Sequence, residues 1–139
     1  MILMAVMGED ESEADPFHFA MVNELGASQV RRVYLGFVSD MSERLRRLKL
    51  ETMGRWSDDV VTLVVGVNAQ PEIDMLREMG AFMCHQYGPL SMAYERVEIK
   101  PGDLMISMSE KRPAHVLDAL EAYSECYTRK RHPKVKGAA

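Results

Sequence analysis

The chain has 139 residues, 47% of them apolar, 27% charged and 7% aromatic. That length suits one domain with its own core. A formal net charge of −4 excludes a uniformly basic nucleic-acid binder, and the apolar content excludes a disordered chain. No apolar run approaches the roughly 18–20 residues that span a bilayer, so no membrane association is expected. Residues 1–7 are apolar but lack a basic n-region and run straight into acids, unlike a signal peptide. Two cysteines, Cys84 and Cys126, make no disulfide framework and fit a reducing compartment, so a cytoplasmic protein is expected.

In chain order, the apolar run over 2–7 is followed by Gly8 and a polar loop, the pattern of a buried strand. Asp15 followed by Pro16 predicts a helix N-cap and first turn, with Gly26 as the stop. β-Branched and aromatic residues over 32–38 predict a second strand. Asp40 and Glu43 have capping-box spacing and open a helix with the stripe Met41, Leu45, Leu48 and Met53, ending at Gly54. The run over 60–67 is mostly β-branched, the mark of a strand covered on both faces of a parallel sheet. Pro71 opens a helix carrying Ile73, Leu76 and Met79, and Gly80 closes it. Residues 81–85 predict a strand ended by Gly88 and Pro89. Residues 90–103 read as irregular, with a turn signal over 100–103, and 104–108 as a fifth strand. Pro113 starts a last helix with Val116, Leu120, Tyr123 and Tyr127 on one face. This alternation predicts a three-layer α/β sandwich with a mainly parallel five-stranded sheet. It forms one domain over 1–128, followed by a basic tail over 129–139.

Charge is segregated along the chain. Residues 1–28, 29–58, 59–110 and 111–139 carry net charges of −6, +3, −5 and +4. Arg44 and Arg47, three apart, share a helix face. With Arg129, Lys130 and Arg131 they are the candidate contacts for an anion or nucleic acid, against the plainer reading of solvated surface. The aromatic residues do not interleave with these bases as base stacking requires. None of His18, His85, His115 and His132 stands at metal-ligand spacing from a cysteine or carboxylate, apart from the adjacent Cys84 and His85, which point opposite ways in a strand. His85 reads as a hydrogen-bonded structural residue, and both cysteines as small buried hydrophobes. The acids over 9–15 lack the glycine and terminal glutamate of a calcium loop. No metal, cofactor or catalytic residue is assigned. The twelve methionines read as core filling, with an adaptable contact surface as the alternative.

The second half has an order of its own. A helix ends in Met53-Gly54-Arg55, a hydrophobic strand follows two acids, and the next helix runs from Pro71 to Gly80 and Ala81. Glu95, then Gly102-Asp103-Leu104-Met105-Ile106, then a closing helix with Val116 and Leu120 complete it. Over residues 44–123 this order resembles the C-terminal two-thirds of the deoxynucleoside monophosphate kinases of tailed phages. The resemblance implies an α/β kinase fold and, in an intact member, phosphate transfer to a nucleotide. Such a kinase needs a phosphate-binding loop, Gly-x-x-x-x-Gly-Lys-Ser/Thr, after its first strand. Here the loop over 8–15 has one glycine, no lysine and five acids. The family's Asp-x-Arg is replaced by Gly66-Val67-Asn68, and its His-x-Ser-Glu becomes Met92-Ala93-Tyr94-Glu95, keeping only the glutamate.

Doubly wound folds bind ligands at the carboxyl ends of their strands. With the resemblance, this marks Gly8, Asp40, Asn68 and Gln70 as candidate ligand residues, with Arg55 and Glu95 near them. The expected function is that of a non-catalytic, nucleotide-kinase-like binding protein, a phage or mobile-element accessory acting in the host cytoplasm on a macromolecular partner, foremost a protein. The alternatives are a nucleotide-binding phosphotransfer enzyme and nucleic-acid binding through the basic helix and tail.

Overall fold

The computed structural model describes residues 1–8, 11–53, 60–87, 99–108 and 115–131; of Glu11 and Arg131 the backbone alone is described. Strands and helices alternate: β1 (Ile2–Met7), α1 (Asp15–Leu25), β2 (Val30–Tyr34), α2 (Met41–Thr52), β3 (Val61–Val67), α3 (Gln70–Glu78), β4 (Phe82–Gln86), β5 (Leu104–Ile106) and α4 (Ala119–Arg131). Two short 3-10 turns, Glu11–Ala14 and Ala27–Gln29, precede α1 and β2. The five strands form one parallel sheet in the order β2-β3-β1-β4-β5, the α/β sandwich expected.

The order dictates the layers. From β1 the chain steps past one strand position to β2, then returns through β3 and crosses to β4. Right-handed connections put the first crossover on one face and the next two on the other. Accordingly α1 and α4 cover one face, where Phe17, Met21, Ala122 and Cys126 meet Ile2, Met4, Val6 and Cys84. Helices α2 and α3 cover the opposite face, where Leu48, Ile73 and Leu76 meet Leu3, Ala5, Met7 and Met83. β1 and β3 are buried along their whole length, which explains their near-continuous apolar sequences.

One irregularity re-aims the end of β3. Ala5 pairs with Val64 and Met7 with Val67, so β3 spends three residues where β1 spends two. The extra residue belongs to the stretch around Gly66, whose φ of 66° lies in the left-handed region. Val61, Leu63 and Val65 face α1 and α4, and regular alternation would send Val67 there too. The bulge turns Val67 to the α2/α3 face and sets the direction in which Asn68 leaves the sheet.

The two edges of the sheet differ. The chain at Leu117 runs beside β5, with Leu117 N–H donating to the Met105 carbonyl at 2.9 Å and Ser107 N–H to the Leu117 carbonyl at 2.9 Å. At the other edge β2 has β3 as its only strand neighbour among the described residues.

Several boundaries depart from the sequence reading. The second strand, expected over 32–38, is Val30–Tyr34; beyond it Val38 N–H closes a turn on the Leu35 carbonyl. Asp15 is the first residue of α1 and not its cap, because the preceding 3-10 turn delivers Ala14 in helical conformation. The helix expected from Pro113 begins at Ala119, since residues 116–118 are occupied in edging β5. A reciprocal capping box starts it: Glu121 N–H donates to Asp118 Oδ1 at 2.8 Å and Asp118 N–H to Glu121 Oε1 at 3.1 Å. Its inward face is therefore Ala119, Ala122 and Cys126, and Leu120 is exposed. Met53 is exposed as well, while Arg44 takes a buried position on α2 beside Leu48.

Gly66→Val should destabilise the fold by about 1–3 kcal/mol, because a β-branched residue is strained at that φ. Gly66→Asn, which tolerates the left-handed region, should cost clearly less; equal costs in urea unfolding would show that the bulge relaxes.

Candidate functional site

The carboxyl ends of β1 and β3 form the topological switch point, since the chain leaves β1 toward α1 on one face and β3 toward α3 on the other. Gly8 N–H donates to the Val67 carbonyl at 3.1 Å, so the two strand ends stay joined here. The turn Glu11–Ala14 leads directly into α1, whose first turn holds Asp15 and Pro16. A helix N-terminus normally offers free N–H groups and a partial positive charge to an anion. Here proline lacks an N–H and the Asp15 carboxylate already sits at that end. Arg32 Nη2 lies 3.3 Å from Asp15 Oδ1, which ties the helix start to β2.

The other predicted strand-end residues are committed locally. Asp40 Oδ2 accepts from Glu43 N–H at 3.0 Å, capping α2. Gln70 donates to Asp74 Oδ1 at 2.7 Å along α3. Asn68 leads from β3 into α3, and its backbone N–H donates to the Glu72 carboxylate. Arg55 and Glu95 lie outside the described residues. The structure thus gathers Gly8, Asn68 and Gln70 near one switch point, with Asp40 at the neighbouring exit from β2.

Beneath these loops lies an ion pair that the sequence reading did not single out. Arg44 Nη1 meets Glu72 Oε1 at 2.9 Å, and the side chains keep only 11% and 3% of their exposure. Arg44 Nε also donates to the Val38 carbonyl at 2.9 Å, and Nη2 to the Gly36 carbonyl at 3.4 Å. Expected beside Arg47 on an outward basic face, Arg44 instead points inward, since these acceptors satisfy its guanidinium. Burial pushes the Glu72 carboxyl above its ordinary range; the hydrogen bond and charge of Arg44 and the Asn68 N–H pull it back only in part. A signal was present in the sequence. Arg44 is four residues before Leu48, and Glu72 four before Leu76, so opposite charges occupy the apolar phase of two neighbouring helices.

A second polar cluster holds the other half of the sheet. Asp103 accepts a bidentate pair from Arg77, with both distances 2.7 Å, and its Oδ2 lies 2.7 Å from His85 Nε2. The ionised carboxylate only accepts, so that ring nitrogen carries the proton. Lys100 N–H donates to the same oxygen at 3.0 Å, and Arg129 Nη1 donates to the Gly102 carbonyl at 2.8 Å. The turn before β5 is thereby fastened to α3, β4 and α4. His85 is the structural histidine expected, and Cys84 and Cys126 are both buried, with burial pushing the Cys126 thiol up to about 12.

Arg47 remains on the surface, where Arg46 and Arg47 both bond Glu43 and hold its carboxyl down to about 2. Lys130 is exposed on the last turn of α4, which Arg131 ends, so the expected tail begins within a helix. At the carboxyl ends of β4 and β5 a small cleft of about 130 Å³ is lined by Glu13, Phe17, Gln86, Tyr87 and Ser107. A larger one of about 300 Å³ lies along β2, between Tyr34, Leu35 and Phe37 on one side and Arg47, Leu50 and Glu51 of α2 on the other. Among the described residues no three His, Cys, Asp or Glu side chains gather as metal ligands, and no helix is long and apolar enough to cross a membrane.

Compared with known proteins, the chain matches no family model and no curated protein sequence.

Two predictions follow from the ion clusters. Glu72→Leu strands Arg44, which cannot shed its charge, and should cost about 3–5 kcal/mol in urea unfolding. Arg44→Met should cost less, because Glu72 can take up a proton, and the double variant should be more stable than Glu72→Leu alone. Costs that simply add would show the pair to be uncoupled. The second concerns pH. Burial would raise the Asp103 carboxyl, but hydrogen bonds from Arg77, Lys100 N–H and His85, with the Arg77 charge, outweigh it and hold it below its ordinary range. A depressed folded value adds stability above the unfolded pKa of about 3.9, and that stability drains away as pH falls below it. Asp103→Asn should flatten this acid limb of the stability curve; an unchanged acid limb would assign the loss to other carboxyls.

Proposed function

We propose that this chain is a non-catalytic binding protein, kinase-like in form, that acts on a protein partner. The observation that carries the reading is the start of α1. At the switch point, where an anion-binding fold of this class presents bare N–H groups and a lysine, this chain presents Asp15 and Pro16, and its sequence over 9–15 holds five acids. Like charges about 4 Å apart oppose each other by about 1–4 kcal/mol in wet surroundings, so several carboxylates disfavour a polyphosphate. The strand-end cleft of about 130 Å³ is also small beside the roughly 300–1,000 Å³ of typical small-molecule sites.

Exposed apolar side chains point to a protein partner instead. Phe37 and Leu50 are 66% and 54% exposed, and both line the cleft along β2. Nucleic acid is the weaker reading, because Arg44 is withdrawn into the core and the remaining bases near β2 are interspersed with Asp15, Glu43 and Glu51.

Melting curves recorded with ribo- and deoxynucleoside mono- and triphosphates, with and without Mg²⁺, should coincide with the curve of the protein alone. A ligand at 100 times its Kd would add about 2.7 kcal/mol, several degrees for a domain of this size. A shift by one nucleotide class, or phosphate transfer between a triphosphate and a monophosphate, would overturn the reading.

A further inference from the structure

A free sheet edge presents unpaired backbone groups to any extended chain that fits it, and proteins cover or charge such edges. This sheet does one at each end. β5 is edged by the chain at Leu117, whereas β2 has β3 as its one strand neighbour among the described residues and carries two arginines in five residues, Val30-Arg31-Arg32-Val33-Tyr34.

Beside that edge the structure provides a receptacle. The cleft of about 300 Å³ opens between the residues leaving β2 and the outer side of α2, with apolar walls formed by Leu35, Phe37 and Leu50. The Tyr34 and Phe37 rings, both among its lining residues, stand 6.0 Å apart, centre to centre. A strand laid along β2 would direct alternate side chains to this face, so one apolar side chain can enter the cleft while the backbone pairs.

Charge selects the occupant. Residues 29–53, which build this corner, carry six bases against three acids within a chain of −4, with Arg44 alone among the bases spent on Glu72 in the core. Arg46 and Arg47 share the single carboxylate of Glu43, which leaves positive charge on α2 beside the cleft. A second copy of the chain is disfavoured: two β2 strands related by a two-fold axis would bring arginine against arginine. An acidic strand avoids that clash and meets Arg47, since Arg31 and Arg32 are already paired with Glu51 and Asp15.

We propose that the β2 edge takes up an extended acidic segment of a partner protein as a sixth strand, with one apolar side chain seated between Phe37 and Leu50 and a carboxylate on the same face set against Arg47. This rests on the protein-binding reading above and narrows it to one edge and one peptide chemistry.

The experiment uses the full chain and fluorescence anisotropy with labelled peptides. The probes are a peptide alternating glutamate and valine with leucine in place of one central glutamate, its lysine-for-glutamate counterpart, and the acidic peptide N-methylated along its pairing edge. The acidic peptide should bind, and the basic and N-methylated ones should bind about tenfold or more weakly, a difference of about 1.4 kcal/mol. Leu50→Glu, at an exposed position, should leave the melting temperature unchanged and weaken the acidic peptide by a similar factor. Arg47→Glu should shift preference toward the basic peptide. Equal binding of the N-methylated peptide would overturn strand addition, equal binding of the basic one would overturn the charge argument, and displacement by a single-stranded oligonucleotide would assign the edge to nucleic acid. Failure of every peptide to bind would remove this edge as the docking site. The broader protein-binding reading would fall separately, to a nucleotide-induced shift in melting.

Discussion

The buried pair of Arg44 and Glu72 is the constraint on which the carboxyl side of the sheet depends. Two charges withdrawn from water are costly unless every donor and lone pair finds a partner in good geometry. Here the guanidinium is shared among Glu72, the Val38 carbonyl and the Gly36 carbonyl, and the carboxylate also accepts the Asn68 N–H. One interaction therefore fixes the exit from β2, the exit from β3, and the mutual position of α2 and α3. The cleft along β2 inherits its shape from it, since Leu50 and Arg47 face outward only because Arg44 and Leu48 face inward on the same helix.

Asp103 plays the matching part on the other half of the sheet. β5 is three residues long and has little apolar surface of its own to hold it. The turn that precedes it is fastened by Arg77 from α3, His85 from β4 and Arg129 from α4, so polar contacts supply what a longer strand would gain from packing. The two clusters lie on opposite flanks of the central strands. Between them, β1 and β3 are held by their sheet pairing and by burial on both faces.

Much of this architecture was legible in the sequence, and the failures have physical causes. The run over 60–67 announced a central strand because a strand covered on both faces must be apolar throughout. Asp40 with Glu43 marked the start of α2, and Gly26 and Gly80, with φ of 93° and 83°, ended their helices as such residues do. Pro113 itself lies outside the described residues, but the helix expected to run on from it starts only at Ala119, because the chain at Leu117 edges β5. Arg44 misled because propensity and charge place arginine outside, and only its pairing with a glutamate 28 positions on reverses this. The candidate ligand residues fared unevenly for a related reason. Fold rules locate strand ends, but Asp40 and Gln70 spend their side chains on helix starts, which spacing alone does not separate from ligand binding.

The strand order has a consequence for how the chain comes into being. β1 is completed first, yet its partners are β3, which begins at Val61, and β4, which begins at Phe82. Synthesis proceeds at about 5–20 residues per second, so the six apolar residues of β1 wait on the order of ten seconds before both neighbours exist. Helix α1 can cover one face, but no strand pairing can form until the distant partners exist. During that interval this strand is the segment most exposed to mispairing and the natural foothold for a chaperone, and the acids that follow it are well placed to keep nascent copies apart.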